Sequence, residues 1–200
     1  GDGGRSASSS ITTTTSAASS AGGGSGTSAA PERLTVRVVA RYPHDTAAFT
    51  EGLLFDDDGR MFESIGLEGR SEIREVDPDR GTVRERRRLR DDEFAEGIAL
   101  GAGGLVQLTW KNGIAHVWSL DASSQFERVA SFDYVGEGWG LTTDGESFIQ
   151  SDGSPTLTFR DGATFEPTRR VEVTRGGEPV DEVNELEYVD GVLWANVWHS

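Results

Sequence analysis

Hydrophobic and polar residues alternate in short stretches from residue 33 onward. In residues 34–40 the sequence LTVRVVA places an apolar side chain at every second position. This period of two is typical of strands that bury one face, and no segment keeps a helical period. Asp-Gly pairs, which favour tight hairpin turns, fall between such stretches at Asp58-Gly59, Asp144-Gly145, Asp161-Gly162 and Asp190-Gly191. The pattern predicts an all-β domain built from hairpins.

An internal repeat indicates how the hairpins are organised. The segments FTEGLLFDDDG, FAEGIALGAGG, EGWGLTTDG and VNELEYVDG each place a small or acidic pair before an apolar strand and a turn. Their turn glycines, at 59, 104, 145 and 191, are separated by 45, 41 and 46 residues, the length of a four-stranded propeller blade. The spacing favours a β-propeller over a β-sandwich, the alternative for a chain of short strands.

The fourth repeat begins close to residue 200, so the sequence predicts an incomplete propeller with about four blades present. A propeller needs closure, because an open ring leaves unpaired strand edges. We expect residues 34–40 to form a strand of the final blade, whose other strands would lie beyond Ser200.

Residues 1–32 differ from the domain at 33–200. They are rich in Ser, Thr, Gly and Ala and almost lack large apolar side chains, so they cannot repay the entropy cost of folding. We expect a disordered tether of the kind that follows a signal peptide or a lipid-anchored cysteine, and hence an extracellular or cell-surface protein. An engineered chain start would give the same pattern. No apolar run is long enough to predict a transmembrane segment.

The composition excludes several functions. The 34 acidic and 19 basic residues give a net charge of -15, which would repel nucleic acid and anionic lipid. Lys111 is the one lysine; an acidic, lysine-poor surface is typical of a halophilic protein, although a GC-rich genome would also favour arginine. Without cysteine there are no disulfides, thiolate metal sites or cysteine nucleophiles. The three histidines fit no zinc motif, and we expect no catalytic metal.

Six motifs in order resemble one known family. They are YPHDTAAFTEGLLF, FESIGLEGRS, FAEGIAL, QLTWKNG, GWGLTTDG and NELEYVDGVLWANVW, and the resemblance to the glutamine cyclotransferases covers residues 38–200. It implies a five-bladed propeller that converts N-terminal glutamine of secreted peptides and proteins to pyroglutamate, releases ammonia and needs no metal cofactor. We expect a monomer. The family can carry a structural ion in its channel, but no calcium ligands can be assigned here.

The resemblance implies two catalytic residues. Glu96 matches the family's catalytic glutamate, which takes a proton from the substrate amine and gives one to the departing ammonia. Asn184 matches an asparagine whose amide donates to the oxyanion of the tetrahedral intermediate. Without the resemblance, Glu96 would be interpreted as a turn or capping residue and Asn184 as an Asx turn. Glu185 and Glu187, which follow Asn184, are interpreted as structural.

The family match also predicts a substrate cage. Its aromatic members are Phe49, Phe94, Trp110, Trp139 and Trp198. Such a cage would hold a glutamine side chain folded back on its amine and exclude water. The remaining tryptophans, Trp118 and Trp194, are expected to take part in the packing of the blades.

Two features depart from the family pattern. Glu51 stands where the family has glutamine, and its carboxylate would either attract the substrate ammonium or compete with Glu96 as the base. The family's last-blade lysine has no counterpart, because Lys111 lies in the wrong motif. Two alternative functions stay open: a non-catalytic propeller that binds peptides or glycans, and a lactonase-type propeller that uses a divalent ion.

Overall fold

The computed structural model of the chain describes residues 34–123 and 125–199, and the predicted tether at residues 1–32 lies outside them. The described residues form strands and turns. The first four strands pair in sequence order as one antiparallel sheet: β1 (Thr50–Phe55), β2 (Met61–Ile65), β3 (Glu72–Asp77) and β4 (Thr82–Arg88).

Two more four-stranded sheets follow with the same meander. The second contains β5 (Ala95–Gly101), β6 (Gly104–Thr109), β7 (Ile114–Trp118) and β8 (Arg128–Asp133). The third contains β9 (Leu141–Thr143), β10 (Ser147–Gln150), β11 (Thr156–Asp161) and β12 (Pro167–Glu172). Two hairpins complete the described chain, β13 (Thr174–Arg175) with β14 (Glu178–Pro179) and β15 (Val183–Val189) with β16 (Val192–Val197).

The sheets are arranged as propeller blades. The first strands of successive sheets, β1, β5, β9 and β15, lie side by side in that order, so each sheet places its first strand at the centre. The predicted propeller is confirmed, and the two-layer sandwich is excluded. Three blades are complete; the fourth has its two inner strands, β15 and β16, within the described chain.

The glycines directly after Glu96 and Trp139 let the inner strands approach closely. A Cβ atom at Gly97 would lie 2.5 Å from the backbone nitrogen of Leu141, and one at Gly140 would lie 2.3 Å from the carbonyl oxygen of Asn184. Only glycine fits at such distances from a neighbouring backbone. The repeat therefore includes the contact that joins one blade to the next.

The predicted hairpins are present at the four Asp-Gly pairs singled out from the sequence, each of which lies in the connection between two paired strands or begins it. Asp190 and Gly191, for example, form a two-residue turn with φ angles of 51° and 79°, between the paired residues Val189 and Val192. Positive φ at both positions is the geometry that Asp-Gly favours.

Each hydrophobic core lies between neighbouring blades. Phe62, Ile73 and Leu105 pack between the first and second sheets together with the buried Trp118, as expected for that tryptophan. Leu108, Leu141 and Phe148 pack between the second and third. None of the described residues forms a helix long and apolar enough to cross a membrane.

Two expectations about outer segments stay predictions, because the strands that would cover these segments were expected beyond Ser200. Residues 34–40 form no strand, and Val36 and Val39 are exposed. Alternation marks which face of a strand would be buried, but a strand also needs a hydrogen-bonded neighbour, and no described strand pairs with this segment. Trp194 is half exposed on β16, the outer strand of the two-stranded sheet, where no described residues cover it as a further strand would.

Candidate active site

The predicted site residues meet at one end of the inner strands. Glu51, Glu96 and Asn184 are each the second residue of β1, β5 and β15, and Trp139 lies two residues before β9. All eight predicted residues line one cavity of about 250 Å³: Phe49, Glu51, Phe94, Glu96, Trp110, Trp139, Asn184 and Trp198. The fold thus brings together residues from four blades, while their individual roles stay predictions.

Aromatic rings form the wall of the cavity. Phe94 contacts Phe49 edge to face, with 6.2 Å between ring centroids, and contacts Trp110 at 5.7 Å. On the other side, Trp139 and Trp198 are perpendicular at 5.7 Å. Edge-to-face contacts of this kind fix the rings relative to one another. The wall is therefore apolar and held by contacts between blades.

Glu96 is the most perturbed carboxyl group whose side chain lines the cavity. It is 6% exposed, and none of the ion pairs between described residues includes it. Burial, followed by the charges of Glu51, Glu185 and Glu137, raises the pKa of Glu96 to about 10. At neutral pH the side chain is a neutral acid that can donate a proton.

Glu51 lines the same cavity from the neighbouring blade. Burial raises its pKa to about 7, so that near neutral pH the side chain is divided between the acid and the carboxylate. The two carboxyl groups thus differ in charge at slightly alkaline pH, with Glu51 ionised and Glu96 protonated. Such a difference between neighbouring carboxyls allows them to take different roles.

Asn184 is held through its backbone. The hydroxyl of Ser151 accepts a hydrogen bond from the Gly140 nitrogen at 2.7 Å and donates to the carbonyl oxygen of Asn184 at 2.7 Å. These bonds join the third blade to β15 of the fourth. They fix the start of β15, from which the Asn184 side chain reaches the cavity, as an oxyanion donor requires.

Glu185 takes the position that glycine has in the other inner strands. Its Oε2 atom is buried without a hydrogen-bond partner among the described residues, 2.8 Å from the place of a Cβ at Gly97. Burial, with the charges of Glu187 and Glu51, raises its pKa well above the usual value. A protonated, uncharged Glu185 fits this position between strands, in keeping with its interpretation as structural.

Glu137 was missed by the sequence interpretation. It lies in the loop between β8 and β9, and its Oε2 atom accepts hydrogen bonds from both Trp110 and Trp139. The motif EGWG aligns Glu137 with Glu51 and Glu96 by its Glu-Gly pair, whereas the structure places Trp139 at the equivalent position. The available signal was the third Glu-Gly pair of the repeats, Glu137-Gly138, which is followed directly by a tryptophan.

The comparisons with known proteins decide the family. The sequence profile of the family described as glutamine cyclotransferase matches residues 7–200. The chain belongs to the glutamine cyclotransferase family. A glutaminyl-peptide cyclotransferase of Arabidopsis thaliana is 38% identical over 166 residues, which are 82% of this chain and 51% of the relative. The chain thus spans about half the length of that curated relative.

Solved structures agree with this assignment. The crystal structure of Myxococcus xanthus glutaminyl cyclase matches with a TM-score of 0.74 and 38% identity, covering 82% of this chain and 68% of the other. A Staphylococcus aureus virginiamycin B lyase matches with a TM-score of 0.53 at 13% identity, covering 77% and 50% of the two chains. The second likeness concerns the fold alone.

Two features of this cyclotransferase-family chain concern cations. Within the described ranges, no group of three or more His, Asp or Glu side chains is arranged to hold a metal ion. Lys111 does not line the cavity; its Nζ atom lies 3.6 Å from the centroid of the Trp110 ring, in a cation–π contact.

Proposed function

We propose that the protein containing this chain is a glutaminyl-peptide cyclotransferase, which closes N-terminal glutamine of peptides and proteins into pyroglutamate and releases ammonia. The observation that carries the proposal is the single cavity of about 250 Å³, in which an aromatic wall surrounds three polar side chains, those of Glu51, Glu96 and Asn184. A cavity of this size suits one side chain and its amine better than a larger ligand.

The reaction needs a nucleophile, a leaving group and one proton carrier. The α-amine nitrogen attacks the γ-carboxamide carbon, a C–N bond forms, and the C–N bond to the amide nitrogen breaks. The amine loses one proton and the departing nitrogen gains one, so the proton count of the enzyme does not change. A single carboxyl group can carry out both transfers.

Glu96 is the group proposed for both transfers. With its pKa raised to about 10, Glu96 holds the proton that the departing ammonia requires, while the substrate binds with a neutral amine. Alternatively, the substrate binds with a protonated amine while Glu96 is ionised, and the proton is then carried by the substrate. In either case the reacting complex shares one proton between Glu96 and the substrate amine.

Asn184 and Glu51 are proposed to act on the two ends of the substrate. The Asn184 amide donates a hydrogen bond to the carboxamide oxygen as its negative charge develops. Glu51, ionised above a pKa of about 7, attracts the positively charged amino group as the substrate enters. The aromatic wall excludes water, which would otherwise hydrolyse the carboxamide to glutamate.

The surroundings of the enzyme are also part of the proposal. The acidic, lysine-poor sequence and the Ser/Thr-rich residues 1–32 support a secreted or cell-surface protein of a salt-rich environment, acting as a monomer on secreted chains. Glu96 and Asn184 together supply the proton transfer and the oxyanion stabilisation, and we therefore propose that catalysis does not depend on a metal. A structural calcium ion stays without assigned ligands.

Ammonia release from Gln-Phe-amide in high salt tests the function. We expect the full-length protein to turn over this substrate equally well with and without a chelator. Glu96→Gln should lower the rate by about 10²–10⁴-fold and Asn184→Ala by about 10²–10³-fold. Glu127→Gln, which changes an exposed residue of the same blade as Glu96, is the matched control and should keep full activity.

The alternatives give different results in this assay. A folded protein without turnover would favour a non-catalytic propeller that binds peptides or glycans. Turnover that the chelator abolishes would favour a metal-dependent mechanism of the lactonase type. Full activity in Glu96→Gln would remove Glu96 from the mechanism.

A further inference from the structure

The aromatic wall of the cavity is interrupted between the second and third blades. Ring contacts join Phe49 to Phe94 and Phe94 to Trp110. A separate contact joins Trp139 to Trp198. Among the described residues, no ring contact connects these two groups, and the gap lies between Trp110 and Trp139, where the second blade meets the third.

The Glu137 carboxylate fills this gap. Its Oε2 atom accepts a hydrogen bond from Nε1 of Trp110 at 2.7 Å and another from Nε1 of Trp139 at 3.0 Å. One oxygen atom thus fixes the orientation of two indole rings from different blades. Both distances lie in the normal range of a hydrogen bond, so two bonds to the same oxygen atom make this bridge a firm link.

The loop that carries Glu137 is itself anchored to both blades. The backbone nitrogen of Gly138 donates to the carbonyl oxygen of Trp110 at 2.9 Å, and the Gln150 side chain donates to the carbonyl oxygen of Glu137 at 3.1 Å. The position of the carboxylate is therefore set by the fold and does not depend on a bound ligand. The two tryptophans are oriented before any substrate enters.

The bridge also decides which polar groups the substrate meets. Each indole has one N–H donor, and both donors are occupied by Glu137. A free indole N–H in the wall would offer the substrate carboxamide a second partner and hold it away from Asn184. With the donors occupied, Trp110 and Trp139 present apolar surface to the cavity.

We propose that Glu137 is a positioning residue of the cyclisation, which sets the spacing of Trp110 and Trp139 and thereby the width of the cage that folds glutamine onto its own amine. The inference rests on the proposed function for its catalytic part. Its structural part, the link between one carboxylate and two indoles, can be measured without any turnover.

The structural part is tested by NMR on the full-length protein labelled with ¹⁵N at the indole nitrogens, each signal being assigned with a single Trp→Phe variant. In Glu137→Ala, the indole signals of Trp110 and Trp139 should move, and their N–H protons should exchange with solvent at least about tenfold faster. The indole of Trp118 donates to Gln107 at 2.9 Å and is the internal reference. Unchanged signals of Trp110 and Trp139 would overturn the proposal.

The catalytic part is tested with the same variants and Gln-Phe-amide. Glu137→Ala should lower kcat/KM by about 10–100-fold, mostly through kcat, because a displaced wall spoils the geometry of attack more than it weakens binding. Glu137→Gln keeps an oxygen acceptor and should stay within about threefold of the wild type. The control Glu146→Ala removes an exposed acid of the third blade and should change neither value.

The two variants at position 137 separate positioning from other effects. An equal loss in Glu137→Gln and Glu137→Ala would overturn the proposal, because the charge rather than the acceptor would then matter. Normal kinetics in a folded Glu137→Ala would also overturn it. If the wild type released no ammonia while the indole signals responded, the proposed function would fail and the bridge would stand.

Discussion

The first blade and the cavity both bury glutamate side chains, but only the first blade neutralises them with an arginine. Glu63 is fully buried on β2, and Oε2 of Glu63 lies 2.8 Å from Nε and 2.7 Å from Nη2 of Arg74. Its Oε1 atom accepts a hydrogen bond from Thr50 and lies 2.8 Å from His44. Both carboxylate oxygens of Glu63 are therefore satisfied.

Glu96 has a different environment. It is nearly as buried as Glu63, yet its charged neighbours, Glu51, Glu185 and Glu137, are also acids and oppose its ionisation. A buried carboxyl group with a firm cationic partner supports the fold, whereas one surrounded by other acids holds its proton. The comparison teaches that the partners of a buried acid, more than its burial, distinguish a structural group from one suited to proton transfer.

The largest effect is expected where the paired charge is broken. Glu63→Gln leaves the guanidinium of Arg74 buried with weaker partners, and we expect it to lower the free energy of unfolding by about 3 kcal/mol. The loss stays near that value because Asp45 lies 3.1 Å from Arg74 and Glu72 lies 3.6 Å from it. Urea unfolding measures the change.

The control for that experiment lies in the same sheet. Glu85→Gln removes an exposed acid on β4 and should change the free energy of unfolding by less than about 0.5 kcal/mol. A loss below about 1 kcal/mol in Glu63→Gln would break the comparison, since the pair would then not be what stabilises this blade.

Substitution of the buried glutamate in the cavity is expected to raise the free energy of unfolding, the opposite of the effect at Glu63. Glu96 has a pKa of about 10 in the folded protein and about 4.3 in the unfolded chain, so the folded state binds the extra proton between these values and loses stability as pH rises through that window. Glu96→Gln imitates the protonated acid and should therefore be more stable than the wild type at pH 8. Thermal unfolding at pH 8 and at pH 4.5, where the difference should vanish, tests this sign.

The hairpins and the membership of the site could be predicted from the sequence. Asp-Gly turns have a local cause, whereas the residues of the cavity were predicted from motifs that resemble the glutamine cyclotransferases. The structure places Glu51, Glu96 and Asn184 at the same position of three inner strands. Both features depend on short stretches of chain. The fold then brings these stretches together, because the inner strands approach one another closely at Gly97 and Gly140.

Features that depend on contacts between distant residues could not be predicted. Glu137 has its place because two tryptophans from separate motifs point their N–H groups at one oxygen atom. The partners of Glu96 are likewise set by the approach of other inner strands. The same limit applies to residues 34–40, because alternation predicts which face of a strand would be buried but not the strand with which it would pair.

Smaller effects are expected in the dependence of turnover on pH. In the proposed mechanism the free enzyme carries a protonated Glu96 with a pKa of about 10, and the substrate amine, with a pKa of about 7.7–8.0, must be neutral. kcat/KM should therefore be highest between about pH 8 and pH 10 and fall about tenfold per pH unit outside that range.

A change of substrate tells the two limbs of that profile apart. A peptide whose amine has a lower pKa should move only the acid limb, because the alkaline limb belongs to Glu96. An optimum between about pH 4.5 and pH 8 would mean that Glu96 works as an ordinary ionised carboxylate. The acidic neighbours of Glu96 would then have no effect on catalysis, although they would still distinguish its surroundings from those of Glu63.

The smallest expected effect concerns Glu51, the carboxyl group beside Glu96. Glu51→Gln removes a charge that attracts the substrate ammonium, and we expect KM to rise about fivefold at pH 7.5, equivalent to about 1 kcal/mol. At this pH most of Glu51 is ionised, and most of the substrate amine, with a pKa of about 7.7–8.0, still carries its proton. Below its pKa of about 7, Glu51 is protonated in the wild type, so the difference in KM should shrink at pH 6. The alkaline limb of kcat/KM should move to lower pH, because the Glu51 charge helps to raise the pKa of Glu96.

Kinetics of Glu51→Gln over this pH range also decide between the two roles open to Glu51. A rise in KM with nearly constant kcat indicates a residue that receives the amine, whereas a fall in kcat of about 100-fold or more indicates that Glu51 is itself the base. In the second case Glu96 would act only as the acid. The two neighbouring carboxyls, like Glu63 and Glu96, would then owe their different roles to their surroundings.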